Sequence, residues 1–438
     1  MSSGRADRNA SVLLILMAAL AALSGAGAPV PAWAAGLAAW AAGFHLWPRL
    51  GKRQKRQVAW LIGLGLAALA VATLLGAGRA WSGILTQNNA LLGMLVGVSF
   101  LQLVGLDGRA DERLPSGRGA LWRTLAGVHL FGSVINLSAV FIMADRMIGR
   151  EGRLSDGQAA VLVRGFLAAA MWSPFFAAVA VALTYAPGSS LAGVIAAGLP
   201  FAVLLLVLAG WRLERELGAE LPGFVGYPMH LRALWLPLLL AVTVGLGRQV
   251  LPHWTALAVI TVAAPAIAVL VTLVRSGPAM TAKRLGDQAR SRLPAMSGEL
   301  ALFLAAAVFA SGLQGLLQAS GHWLPFGHFG ALQAAVVLAV MMGAAMIGVH
   351  AVISIAVVSA WLMPIDPDPV LLATVFSMSW AIGLAVSPLS GIHLAIQGRY
   401  GIPAAQMARG NGAYGLQAFG LAALWLVLVA AWRGVALY

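Results

Sequence analysis

The sequence predicts an all-α polytopic membrane protein of about eleven transmembrane helices plus two re-entrant hairpins, arranged as an inverted-topology repeat. Three observations predict it. Of 438 residues, 61% are hydrophobic and only 10% charged, against about half and a quarter in soluble domains. The apolar residues fall in runs near the length of about 20 that crosses ~30 Å of hydrocarbon. Two of those runs carry a Ser-Pro interruption, Met171-Trp172-Ser173-Pro174-Phe175-Phe176 and Val386-Ser387-Pro388-Leu389-Ser390-Gly391. Proline removes a helix hydrogen bond, and a bilayer tolerates such a break only where protein, water or a solute meets the freed backbone groups.

Composition also excludes several classes. With no cysteine, disulfides, thiolate chemistry and Cys-ligated zinc or iron-sulfur sites are ruled out. The net charge of +14 comes from Lys and Arg in short loops, where they set orientation. No loop is long enough, or interleaves aromatic and basic residues, to suit a nucleic acid. Membrane lipids are the surrounding partner instead.

In chain order, residues 12–28 form a first span, read as uncleaved because apolar character resumes in a second span at 32–46. The basic cluster 49–56 belongs in the cytoplasm by the positive-inside rule. Spans at 58–77 and 85–106 follow, then a loop carrying Arg109, Arg113, Arg118 and Arg123. Segment 121–147 has basic loops at both ends and a polar centre, so it is expected to enter and leave by the same side, as a hairpin with its tip near residues 132–138. The broken helix 159–185 crosses outward and 191–211 returns, leading into the charged connector 213–232.

The second half repeats this order from the opposite face. Spans at 233–250 and 255–274 precede a basic loop at 275–292, and 299–317 leads to a loop at 320–328 without Lys or Arg. Segment 329–363 is too long for one span and short for two. Its flanking loops both lack basic residues, so it is expected as a second hairpin, entering from outside. The second broken helix covers 370–396 and a last span covers 412–431. The domain reading is therefore an extra span at 1–31, repeat 1 at 32–212, the connector, and repeat 2 at 233–438, with the N-terminus cytoplasmic and the C-terminus external.

Two broken helices at matching places in two inverted halves point to a secondary transporter's midplane site. Asn136 and Ser138, with Ser133 beside them, offer amide and hydroxyl contacts to a carboxylate or to Na⁺; interhelical hydrogen bonding is the alternative use of such groups. Ser173-Pro174 and Ser387-Pro388, with Ser390, supply the opposed helix ends at which N–H groups meet an anion and carbonyls a cation. Taken alone, each would read as an ordinary proline kink. His350, Ser354 and His393 complete the substrate-binding set, and Asn136, Ser173 and Ser387 are the candidate ion contacts. Histidines in separate apolar segments do not make a metal-site signature. Arg164 and Arg399, at the ends of the broken helices, either attract an anionic solute or snorkel to the headgroups.

The layout of three spans, hairpin, broken span and final span, given twice in opposite orientation, resembles the ion transporter superfamily, and within it the divalent anion/sodium symporters. In that family each hairpin tip carries a Ser-Asn-Thr motif that helps to bind sodium and the substrate carboxylate. Here the first tip offers Asn136-Leu137-Ser138 preceded by Ser133, and the second His350-Ala351-Val352-Ile353-Ser354. The resemblance implies a homodimer that carries a small anionic organic solute across a bacterial-type inner membrane by an elevator mechanism, coupled to Na⁺ or H⁺ and without a cofactor or a catalytic residue. The rival readings are a membrane-embedded transferase or ligase, which would want a large external loop bearing catalytic groups, and a channel, which would want a selectivity-filter sequence.

Overall fold

The structure, a computed structural model, describes residues 2–76, 80–104, 114–148, 153–229, 235–319 and 326–438. Arg109, Arg113, Arg150 and Glu151 of the basic loops and most of the loop 320–328 lie outside these residues. Among the described residues the regular structure is helical, save for one isolated bridge between Ser116 and Val225.

Among the described residues, eight helices are long and apolar enough to cross a membrane: Gly4–Gly25, Lys52–Leu74, Gly83–Leu103, Leu191–Gly223, Ala256–Ala295, Ser297–Ala319, Pro369–Tyr400 and Gly412–Arg433. The chain is a multi-pass membrane protein. The three other expected spans are the 15-residue helix Ala32–Leu46, the 16-residue helix Trp235–Val250, and the first broken helix, which is split in two. At 1.5 Å per residue the 15-residue helix reaches only ~22 Å.

One expected loop is helical. Residues 275–292 continue the helix Ala256–Asp287, which leaves helical geometry only at Gly277 (φ 76°, ψ 171°). Glycine admits that backbone, and Pro278 then restarts the helix where no N–H is needed. Its polar residues do not all point to water: Arg284 donates to the Leu103 carbonyl (2.9 Å) and Gln288 to the Ser99 hydroxyl (2.9 Å).

The chain divides into two compact units, each drawing on both halves of the sequence. Unit 1 comprises Met1–Gly105, Leu239–Pro325 and Ala356–Pro364. Its tightest crossing pairs Lys52–Leu74 with Ser297–Ala319. A β-carbon added to Gly65 would lie 2.7 Å from the Phe309 nitrogen, and one on Gly312 would strike the Gly65 carbonyl. Small residues let helix backbones approach in this way, where lipid supplies no hydrophobic drive.

Unit 2 comprises Leu106–Leu238, Phe326–Ile355 and Ile365–Tyr438. Its frame is a pair of antiparallel closing helices, Leu191–Leu217 and Gly412–Arg433. The end of the first and the start of the second both meet Arg164, through Glu216 and Asn411. Farther along, Trp425 donates to the Ala197 carbonyl near the start of the first (2.8 Å). Both group with the broken helices.

Both polar-centred segments double back. Helices Arg118–Ile135 and Leu137–Met147 meet at Asn136. A β-carbon on Gly127 would lie 3.4 Å from the Met143 methyl, a contact that a straight helix would put ~24 Å out of reach. The ends of this hairpin are tied by Arg118 and Trp122 to Glu214 (both 2.6 Å) and by Asp145 to Arg399 (2.6 Å). The second segment runs in as Ala331–Met346, turns at Gly348 (φ 96°) and runs out as Ala351–Leu362. The Ala331 N–H bonds the Ala436 carbonyl (3.0 Å) and Asp368 pairs with Arg433 (3.0 Å), so the chain arrives and leaves at the same end of Gly412–Arg433. Because the closing helices are antiparallel, the ties of the first hairpin and those of Ala331 and Asp368 lie at opposite ends of unit 2.

Candidate functional site

Each broken helix is capped at its start and opened in its middle. Ser155 and Gln158 form a reciprocal capping box on Asp156–Ala168, and Asp368 accepts from Val370 N (3.0 Å) and Leu371 N (2.8 Å) on Pro369–Met378. The first helix opens at residues 172–176 and resumes as Ala177–Tyr185. The second widens into a π-turn at Ser379–Gly383, opens at 387–390 and resumes as Gly391–Tyr400.

The two breaks share one turn. Ser173 Oγ accepts from the Phe175 N–H (3.2 Å) and its carbonyl from the Phe176 N–H (3.1 Å). Ser387 Oγ accepts from the Leu389 N–H (3.3 Å) and its carbonyl from the Ser390 N–H (3.3 Å). In each case proline follows the serine, so the side chain and carbonyl bonds replace part of what the helix lost. The stretches just before the breaks, Ala169–Met171 and Ser379–Gly383, pack on one another.

Each break also touches the tip of the hairpin from its own half. At the first, the Ser173 hydroxyl donates to the Ser133 carbonyl, and Asn136 Nδ2 donates to the Phe175 carbonyl (3.1 Å). Asn136 holds φ 53° and ψ −141° there, a region that costs a non-glycine residue of order 1–3 kcal/mol. At the second, Gly348 lies against Leu389, and the His350 ring meets Trp380 edge-on at 5.8 Å between centroids. The breaks differ in what remains free. The first is closed by protein partners, whereas at the second His393 Nδ1 bonds the Ser387 carbonyl (2.8 Å) and its Nε2 is buried without a partner.

Ser133, Asn136 and Ser173 thus come together, as do Ser387, Ser390 and His393, with Pro174 buried and Pro388 half-buried in the two turns. Ser390 caps the resumed helix by accepting from the His393 N–H (3.4 Å). Ser138 is half-buried, and no side-chain hydrogen bond joins it or Ser354 to either break among the described residues. The helix Ala177–Tyr185 has no side-chain cap; its Val179 and Ala180 N–H groups bond the Phe176 carbonyl (3.2 and 3.4 Å), and its positive dipole end lies at the break.

Sequence reasoning placed His129 just before the first tip but missed Trp172 as its partner. Trp172 Nε1 donates to His129 Nε2 (3.1 Å), and His129 Nδ1 bonds the Gly165 carbonyl (3.2 Å), which assigns the neutral Nδ1–H tautomer. A buried indole N–H beside a helix break needs an acceptor, and that requirement was the available signal. Of the two uses expected for the arginines, snorkelling is excluded for Arg164: it is 1% exposed, bonds Asn411 Oδ1 (2.8 Å) and Glu216 (2.9 Å), and lies 4.9 Å over the Tyr414 ring. Arg399 is taken up by Asp145.

No protein-family model and no curated protein matches the chain. Among solved structures it is similar to the YdaH transporter of Alcanivorax borkumensis, which is described as having an unusual topology. The identity is 20%, the match covers 85% of this chain and 87% of that one, and the TM-score is 0.43.

Proposed function

We propose that the chain is a secondary active transporter for a small anionic organic solute, and not an enzyme. The observation that carries this is the pair of matching Ser-Pro turns, each set against the tip of the hairpin from its own half. Irregular backbone at that depth, surrounded by protein, is the membrane form of a helix-terminus ion site. The uncapped start of Ala177–Tyr185 and the serine hydroxyls suit an anion; the turn carbonyls suit Na⁺, and His393 Nε2 suits a proton.

The reading extends to mechanism. Unit 2 gathers both broken helices and the site residues, which fits an elevator in which that body is carried and unit 1 serves as the scaffold. Such motion needs only different affinities for solute and ion in the two states. The family resemblance adds a homodimer in a bacterial-type inner membrane, with the N-terminus cytoplasmic and the C-terminus external. The test is uptake of labelled mono-, di- and tricarboxylates by proteoliposomes under an imposed Na⁺ or pH gradient. Gradient-dependent accumulation of one of them is expected, and folded protein that accumulates none under either gradient would refute the reading.

A further inference from the structure

A cavity of about 270 Å³ lies inside unit 2, away from both breaks. Its walls come from the start of Asp156–Ala168, the end of Leu191–Leu217 and the short helix Ala404–Gly410. The volume is just below the ~300–1,000 Å³ usual for drug-sized ligands, so the occupant is small.

The charges on its walls are mixed in a particular way. Asp156, Glu216 and Glu220 contribute three carboxylates and Arg164 the one guanidinium. Glu216 is shared between Arg164 and Arg212 (2.9 and 3.0 Å), and one oxygen of Asp156 accepts from Gln406 (2.9 Å). Glu220 is exposed and makes no ion pair among the described residues. Arg164 is buried, and of its guanidinium nitrogens Nε goes to Asn411 and Nη2 to Glu216, while Nη1 is buried with no partner. Leaving a buried charged donor without a hydrogen-bond partner costs more than an ordinary lost hydrogen bond. A simple anion would answer Arg164 but meet three carboxylates. A simple cation would answer the rim but leave Nη1 unmet.

We infer that this cavity binds a small zwitterion, its anionic oxygen group directed to Arg164 and its primary ammonium to Asp156 and Glu220. Free amino compounds and the headgroup of a phosphatidylethanolamine share that chemistry. The site does not depend on the transport reading, since no residue of either break lines it.

The test is calorimetry and native mass spectrometry on the full chain in detergent. The soluble probes are β-alanine and phosphoethanolamine, and the lipid probe is dihexanoyl phosphatidylethanolamine. Phosphocholine and the matching phosphatidylcholine serve as controls, because their methylated nitrogen has no N–H to donate. Binding of a primary-ammonium probe is expected, with Glu220→Gln weakening it roughly tenfold. Glu220 is exposed, so this variant should fold even if Arg164→Gln does not. Binding of a soluble probe assigns a free solute, and binding of the lipid alone assigns a headgroup. If no probe binds, if the choline controls bind equally, or if Glu220→Gln binds as the unmodified chain does, the inference is overturned.

Discussion

Ser173 and Ser387 hold the same turn at the breaks of two helices, but only Ser173 spends its hydroxyl proton on a hairpin, at the Ser133 carbonyl. The equivalence is local and the difference is one of partners. It sets up unequal outcomes for the same substitution.

Ser173→Ala removes a buried donor and leaves the Ser133 carbonyl short of a partner, at a cost of about 1–3 kcal/mol. Ser387→Ala removes only a 3.3 Å acceptor, so its stability cost should stay below ~1 kcal/mol. Thermal unfolding in detergent should therefore single out Ser173→Ala, while gradient-driven uptake should fall in both. Equal loss of stability would show that the hairpin contact contributes nothing.

Asn136 combines an amide bond to Phe175 with a backbone suited to glycine. Asn136→Gly loses the amide and relieves the backbone, whereas Asn136→Ala loses the amide and keeps the strain. The glycine variant should be the more stable of the two by about 1 kcal/mol. Both should transport poorly if the amide serves the site. An alanine variant as stable as the glycine one would mean that the turn at the tip relaxes freely.

His393 allows its two nitrogens to be tested apart. Asparagine places a donor near the Nδ1 position, so His393→Asn keeps the bond to Ser387 and deletes Nε2. Glutamine reaches toward Nε2 and gives up the Ser387 bond. If Nε2 serves ion or solute, His393→Asn should lose uptake at normal abundance and normal thermal stability. Retained uptake would return this histidine to a packing role.

Asp368 has two tasks, as an N-cap and as partner of Arg433. Asp368→Asn keeps the capping oxygen, and Asp368→Ala loses it at about 1 kcal/mol. The ion pair is partly exposed and should be worth under ~1 kcal/mol. Unfolding temperatures should fall in the order Ala below Asn below the unmodified chain, and the reverse order between the two variants would rule out the cap.

Span lengths, the two breaks and the reversal at residues 132–138 were legible because each leaves a mark in the apolar pattern. Burial within the protein left none. Lys52–Leu74 and Pro369–Tyr400 have the same mean hydropathy, 1.9, yet 28% of one window and 100% of the other is enclosed by protein. Lipid tails are as apolar as a core, so composition cannot separate the two. The burial of Arg164 was not legible because its partners, Glu216, Asn411 and Tyr414, stand about 50 to 250 residues away in the chain. The helical stretch after Gly277 was taken for a loop from its charge, although its side chains find acceptors on the helix beside it.

The enclosure of the helix Pro369–Met378, ahead of the second break, has a practical side. Ser377 sits within it, fully covered, in a chain that contains no native thiol. A cysteine placed there by Ser377→Cys differs from serine by one atom and would be screened from aqueous maleimides and from lipid-soluble alkylators alike. Its rate of modification would then time the opening of unit 2 directly, with no background labelling to subtract.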